Sequence, residues 1–301
     1  MKCYFNRLLI GVAILNVFVG IAGAGETGHY VSGVEGIKAA SVPGPGFYYK
    51  IYNVLYNANT LTDNQGSKLD VDFDVTVFAS AHRFIWVTPV KILGADFLMD
   101  TTIPLISTDI SIGAAGIDDD AFGLGDICVE PFALSWHGRR YDAAFGLAAY
   151  LPVGKYDEGD PASPGKDFWT MMITLGATYY MDDDKTWSAS ILSRYEINSE
   201  KDSLDITPGN DFHFEWGIGK TLAKLWDVGV AGYCHWQVTD DSGSDVTWEK
   251  SVHDRVYALG PEISRFFPSL MLGFSLKHLW EFDAQDRSEG YATALNITKA
   301  F

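Results

Sequence analysis

The chain has 301 residues, 47% of them hydrophobic and 14% aromatic, with a formal net charge of −17. That is too apolar and aromatic for a disordered chain. An acidic surface without any basic run excludes a nucleic-acid footprint. Mean hydropathy is high for so acidic a protein, yet one segment alone resembles a membrane helix. What remains is a soluble β protein with a rich core or a membrane β-barrel.

The apolar segment opens the chain. Lys2 and Arg7 give a positive start, Leu8 to Ile21 is a nearly unbroken apolar run, and Ala22-Gly23-Ala24 supplies a small-residue cleavage pattern. Residues 1–24 therefore read as a signal peptide, with the mature chain starting near Gly25. An N-terminal membrane anchor is the alternative, and the short run with its cleavage site argues against it. Cys3 leaves with the leader. Cys128 and Cys234 stay, each in an apolar strand pattern, as buried or lipid-facing thiols rather than a disulfide framework. Residues 25–46 are rich in Gly and end in the stiff Pro43-Gly44-Pro45-Gly46. This periplasmic segment is expected to fold into a lumen as a plug; the alternative is a flexible tail.

From residue 47 to 301 the pattern has a period of two. Phe212, Phe214, Trp216 and Ile218 alternate with Asp211, His213, Glu215 and Gly217. Val71, Phe73, Val75 and Val77 alternate with Asp70, Asp72, Asp74 and Thr76. Such alternation predicts strands with one apolar face. In chain order they are Phe47–Ala58, Asp70–Val87, Lys91–Ser107, Asp126–Trp136, Tyr141–Leu151, Phe168–Met181, Trp187–Ile197, Asp211–Leu222, Asp227–Val238, Arg255–Phe266, Ser269–Phe282 and Gly290–Phe301.

The links between them alternate long and short, with Asp283–Glu289 intermediate. Long loops at one end and tight periplasmic turns at the other mark an outer-membrane barrel. An even strand number closes the sheet, and no open edge can stand in lipid. The expected fold is all-β: a transmembrane antiparallel up-and-down barrel of about twelve strands. Aromatics near strand ends, such as Tyr48, Tyr49, Tyr56, Trp169, Tyr179, Tyr180, Phe266, Phe267, Trp280 and Phe282, fit interfacial girdles. The terminal Phe301 fits the signal read by the outer-membrane assembly machinery.

Several segments resemble one family. They are Gly28-His29-Tyr30, Gly36-Ile37-Lys38-Ala39-Ala40, Gly123-Leu124-Gly125-Asp126 with Trp136-His137, Tyr150-Leu151-Pro152-Val153-Gly154-Lys155-Tyr156, Gln237-Val238-Thr239-Asp240-Asp241, Leu259-Gly260-Pro261 and Glu281-Phe282-Asp283-Ala284. In this order they are similar to the outer-membrane proteins of the meta-pathway phenol-degradation family. Gly165-Lys166-Asp167 departs from the family pattern, which is Asn-rich there. The resemblance implies a monomeric outer-membrane channel for small hydrophobic, often aromatic, compounds.

With the apolar set facing lipid, the inward path is expected to carry Asp72, Asp74, Arg194, Glu196, His213, Glu215, His235, Gln237, Lys277 and Glu281. Acids facing Arg194 or Lys277 either form a ladder that narrows the passage or are a solvated wall. Phe78, Phe84, Trp86, Tyr150 and Tyr233 are candidates for a greasy route. Strict alternation aims Arg83 at lipid unless a bulge near Ala81–Arg83 exchanges the faces. The inward small residues Ala144, Gly146, Ala148, Gly217, Gly219, Gly229, Ala231, Ala292 and Ala294 either leave room for a guest or fit barrel curvature.

The acidic runs Asp118-Asp119-Asp120 and Asp240-Asp241 fall in outer loops, and Asp182-Asp183-Asp184 in a periplasmic turn. They read as solvated; the alternatives are Ca²⁺ held by several carboxylates of one loop, though without EF-hand spacing, and bridging of the outer loops to lipopolysaccharide through divalent cations. A barrel hydrolase is the rival class, on the strength of His213 beside Glu215. No Ser stands beside them and no metal-ligand spacing occurs, so no catalytic residue, cofactor or metal is expected. A structural or adhesive barrel is the third class.

Overall fold

The computed structural model describes residues 28–301. The signal-peptide reading of residues 1–24 lies outside them, as do residues 25–27. Thirteen strands follow: β1 Gly46–Leu61, β2 Phe73–Ile92, β3 Ala95–Ile112, β4 Ile117–Leu124, β5 Ile127–His137, β6 Tyr141–Leu151, β7 Thr170–Tyr180, β8 Trp187–Asn198, β9 Asp211–Leu222, β10 Trp226–Gln237, β11 Arg255–Phe267, β12 Leu272–Gln285 and β13 Ser288–Ala300.

Twelve of them form a closed antiparallel ring. Each strand pairs with its neighbour in sequence, and β1 pairs with β13 from Tyr48↔Ala300 to Leu61↔Ser288. Closure satisfies every edge, which is what a sheet in lipid requires. The additional strand is β4. It turns back on the outer part of β3 through Ile112↔Ile117, before β5 takes over the pairing lower down. The run Asp118-Asp119-Asp120 is thus strand rather than loop. The alternating phase of Ile110, Ile112 and Ile117 favours pairing, and the exposed acids point away from the barrel.

Leu93-Gly94 is a two-residue turn at the end that also carries the start of β1 and the end of β13. Both termini on the short-turn side identify that end as periplasmic. The last outer link is tight as well: β12 and β13 run on past the expected Asp283–Glu289 link and leave Asp286-Arg287 as its turn.

Outward positions form the lipid-facing belt. Leu147, Leu175, Ile191, Ile218, Val230, Leu259, Ile263, Leu276 and Leu295 are all at least 38% exposed. In water such a belt would be an aggregation surface; around a closed barrel it is the contact with acyl chains. Trp169, Tyr179, Phe266, Trp280 and Phe282 face outward as girdle residues should. Tyr56 and Tyr180 do not: their hydroxyls donate inward to Glu281 (2.8 Å) and Asp142 (2.6 Å). The barrel and its belt place the protein in the outer membrane.

β2 overturns one expectation. Its pairing with β1 runs without a bulge from Val87 to Val75, and its odd-numbered residues face inward. Arg83 is therefore luminal by plain alternation, and Phe78, Phe84 and Trp86 are exposed on the outside. Asp74 is exposed on the outer face too, and Asp72 precedes the strand, exposed, with a positive φ of 53°. A one-residue error of phase exchanges every side chain of a strand. The error has a physical source: β2 has 20 residues where about 9–11 span the hydrocarbon, so its outer half extends past the lipid, and there the apolar face turns in and the acids turn out.

Candidate functional site

The lumen is filled from below by the chain's own N-terminal segment. Residues 28–45 contain no helix or strand, so their backbone N–H groups need partners from the wall. Three luminal glutamates supply them. Glu196 accepts from the N–H of His29 (2.6 Å) and Tyr30 (3.1 Å). Glu215 accepts from the N–H of Gly33 and of Glu35, both at 2.8 Å. Glu262 accepts from the N–H of Ile37 (2.9 Å). The wall donates in return: Lys277 Nζ and Asn296 Nδ2 reach the Val34 carbonyl at 3.1 and 2.7 Å, and Ser190 Oγ reaches that of Gly36 at 2.7 Å. Bonds to a charged partner contribute about 1.5–3 kcal/mol each.

Side chains complete the attachment. Tyr30 lies between the Arg194 guanidinium, 3.7 Å from the ring centre, and the His213 ring, stacked at 5.0 Å. Its hydroxyl donates to Glu215 at 2.7 Å. His29 stacks on Tyr150 at 4.9 Å, and its Nε2 lies 2.9 Å from Asp126. Glu35 accepts from Lys50 (2.7 Å) and from the Tyr52 hydroxyl (2.6 Å) on β1. Lys166 donates to the Gly28 carbonyl at 2.6 Å.

The small inward residues make the space. A side-chain carbon on Gly217 would lie 2.5 Å from the backbone of Gly36 and Ile37, and one on Gly219 would lie 2.8 Å from the Ile37 side chain. Among the strands, the segment takes its backbone hydrogen bonds from β8, β9, β11, β12 and β13, with further side-chain contacts to β1 and β6. Beside it lies a cavity of about 970 Å³ that is bordered by β1, β2, β3, β5 and β6, by residues of the segment and by a few residues of the remaining wall.

That cavity changes character with height. Its outer part is lined by Phe73, Val75, Val77, Ile106, Ile110 and Ile117. The opposite faces of these strands carry the exposed Asp74, Asp109, Asp118 and Asp120. Halfway down, Arg83 crosses the wall: Nε donates to Asp100 (2.9 Å), Nη2 to Glu130 (3.1 Å) and Nη1 to the Tyr52 hydroxyl (3.2 Å). Below it Val87, Leu98 and Ala133 pack against Val42 of the segment.

Ten of the fifteen luminal residues expected from sequence are buried inside: Tyr150, Arg194, Glu196, His213, Glu215, Tyr233, His235, Gln237, Lys277 and Glu281. The structure assembles them into pairs. Arg194 donates to Glu215 (2.8 Å), Lys277 stands 3.7 Å from Glu262, His213 Nε2 is 2.9 Å from Glu196, and Tyr233 donates to Glu281 (2.5 Å). His213 thus meets Glu196 rather than its sequence neighbour Glu215. Asp72, Asp74, Phe78, Phe84 and Trp86 are not luminal. Cys128 is buried beside Tyr150, and Cys234 is half-buried. The sequence pattern aims Arg83 at lipid and does not single out Asp100, Glu130 or Glu262. The phase inversion on β2 is what turns Arg83 away from the lumen in that pattern, and its partner Asp100 lies on the even-numbered, buried face of β3 with Asp96.

Residues 58–297 match the profile of the family described as "Putative MetA-pathway of phenol degradation". The chain belongs to that family. No curated protein matches its sequence. Among solved structures it is similar to an outer-membrane channel from Pseudomonas putida F1, at 13% identity and a TM-score of 0.77 over 91% of this chain and 100% of that one. It is also similar to the β domain of the Bordetella autotransporter BrkA, at 13% identity and a TM-score of 0.49 over 86% of this chain and 100% of that one. The first of these likenesses matches the ring described above.

Proposed function

We propose that this protein is an outer-membrane channel through which small hydrophobic compounds, aromatic ones included, enter by passive diffusion. One observation carries the reading. The part of the outer cavity wall built by β2, β3 and β4 is apolar on the side that faces the lumen and acidic on the side that faces water. A strand above the membrane gains nothing from that arrangement unless something apolar occupies the inside. Apolar walls with a few convergent polar groups are the usual lining of a small-molecule site.

The filled lumen supports the same reading. A passage for ions or sugars needs continuous water, whereas residues 28–45 and the Arg83–Asp100–Glu130 cluster interrupt it. The segment then acts as a plug, and the entering molecule moves along the cavity beside it. The family's name, with phenol degradation in it, supports an aromatic substrate. Closure of the ring within one chain supports a monomer.

Reconstituted protein provides the test. Val77→Asp and Ile110→Asp place a charge on the apolar wall. Binding of an apolar fluorescent naphthylamine to detergent-solubilised protein is expected to weaken at least tenfold in each variant, with sugar leakage through proteoliposomes unchanged. Unaltered probe binding in both variants overturns the proposal.

A further inference from the structure

Among the described residues, one set of metal-ligating side chains converges: Asp211 at the outer start of β9, His235 near the outer end of β10, and Asp254, the residue before β11. All three are buried. His235 Nε2 lies 3.2 Å from Asp211 Oδ1 and 3.8 Å from Asp254 Oδ1, and one ligand atom from each residue falls within 4.8 Å of the others. A tetrahedral zinc-type ion with bonds of about 2.1 Å holds its ligand atoms roughly 3.4 Å apart. The two measured distances bracket that spacing.

An independent observation points to the same place. Oδ1 of Asp254 is buried and has no hydrogen-bond partner. The other oxygen, Oδ2, accepts from Arg287 Nη1 at 3.0 Å. A buried carboxylate oxygen without a donor calls for a ligand, and here it is aimed at an imidazole nitrogen and a second carboxylate.

We propose that Asp211, His235 and Asp254 bind a divalent transition-metal ion of the zinc class. Two carboxylates against one guanidinium leave the site one negative charge, and a neutral imidazole adds none, so a dication is attracted. The nitrogen ligand selects zinc-like ions over calcium and magnesium, which take oxygen. The donors come from two strands and the end of a loop, with Asp211 and His235 24 residues apart, which is why no ligand spacing shows in the sequence. Asp254 ends the outer loop 238–254. A side-chain carbon on Gly28 would lie 3.3 Å from His235 Cε1 and 3.4 Å from Asp211 Oδ2. The bound ion pins that loop to the rim, directly above the inner segment. The inference does not depend on the transport reading.

The experiment is calorimetric titration of zinc chloride into full-length protein in detergent, stripped beforehand with EDTA. One site per chain is expected. Asp254→Asn and His235→Gln should each weaken it at least tenfold while keeping the heat-modifiable gel mobility of a folded barrel, and equimolar calcium should not compete. Absence of zinc binding, binding unchanged in both variants, or equal competition by calcium overturns the assignment. Should the variants misfold, crystals of the unaltered protein soaked in zinc decide: an anomalous peak between the three side chains supports the site, and its absence at saturation overturns it.

Discussion

The carboxylate of Glu215, on the wall, and the backbone N–H of Gly33, in the inner segment, meet at 2.8 Å. Glu215 also holds Glu35 N–H, Tyr30 Oη and Arg194 Nη1, each within 2.8 Å. Three of the segment's hydrogen bonds end on it, against two on Glu196.

Glu215→Ala leaves Arg194 buried without its carboxylate and three donors of the segment unpaired. Breaking a buried pair in this way costs about 3–5 kcal/mol. The expected result is a lower thermal midpoint in detergent and a larger single-channel conductance. Glu215→Gln, which keeps the shape and one acceptor, should lie between the variant and the original protein in both measurements.

Gly217→Val changes the wall and leaves the segment's own sequence intact. The added carbons would meet the backbone of Gly36 and Ile37, the nearest at 2.5 Å. The segment must move away, so hydrophilic probes should leak through proteoliposomes. Deleting 26–41 should produce the same leak. No increase in either case would show that the segment does not restrict flow.

Much of the fold was legible because a barrel strand writes its two faces into alternate residues, and lipid demands a greasy outer face for as long as the strand is in the membrane. β9 illustrates this, with Phe212, Phe214, Trp216 and Ile218 turned one way and Asp211, His213 and Glu215 buried on the other. The same rule failed on β2, where Phe73, Val75 and Val77 line the cavity above the lipid. Alternation reports that two faces differ, not which of them is inside. Luminal acids such as Glu196 and Glu215 were legible as residues, but their task was not: hydrogen bonds to the backbone of a segment more than 160 residues away leave no trace in local pattern.

Asp286 occupies the tight outer turn between β12 and β13. Burial, and the neighbouring Asp254, Asp241 and Asp63, push its carboxyl up to about 6. A raised carboxyl destabilises the folded state once it ionises, so the cost is absent below the ordinary carboxylate range and complete above about pH 6. Asp286→Asn should therefore raise the thermal midpoint at pH 7.5 and leave it unchanged near pH 4. Partial solvent exposure limits the gain to about 1 kcal/mol. A variant equally stabilised at both values would contradict the assignment to ionisation.

Phe301 is exposed, and its N–H donates to the Phe47 carbonyl at 3.0 Å, at the seam where β13 meets β1. Loss of one hydrogen bond contributes about 1 kcal/mol to a finished barrel. Removing Phe301 should consequently lower the amount of barrel assembled in cells several-fold, while protein refolded from urea into detergent reaches nearly the original midpoint. Equal losses in both settings would assign Phe301 to stability rather than to assembly.

The glutamates that hold the inner segment also define what an emptied barrel would conduct. With residues 28–45 withdrawn, Glu196, Glu215 and Glu262 would face open water with fewer partners, and rings of carboxylates favour cations in a pore. A salt gradient across a bilayer containing the deleted form should thus give a reversal potential of the sign set by potassium, an electrical signature of the segment's departure.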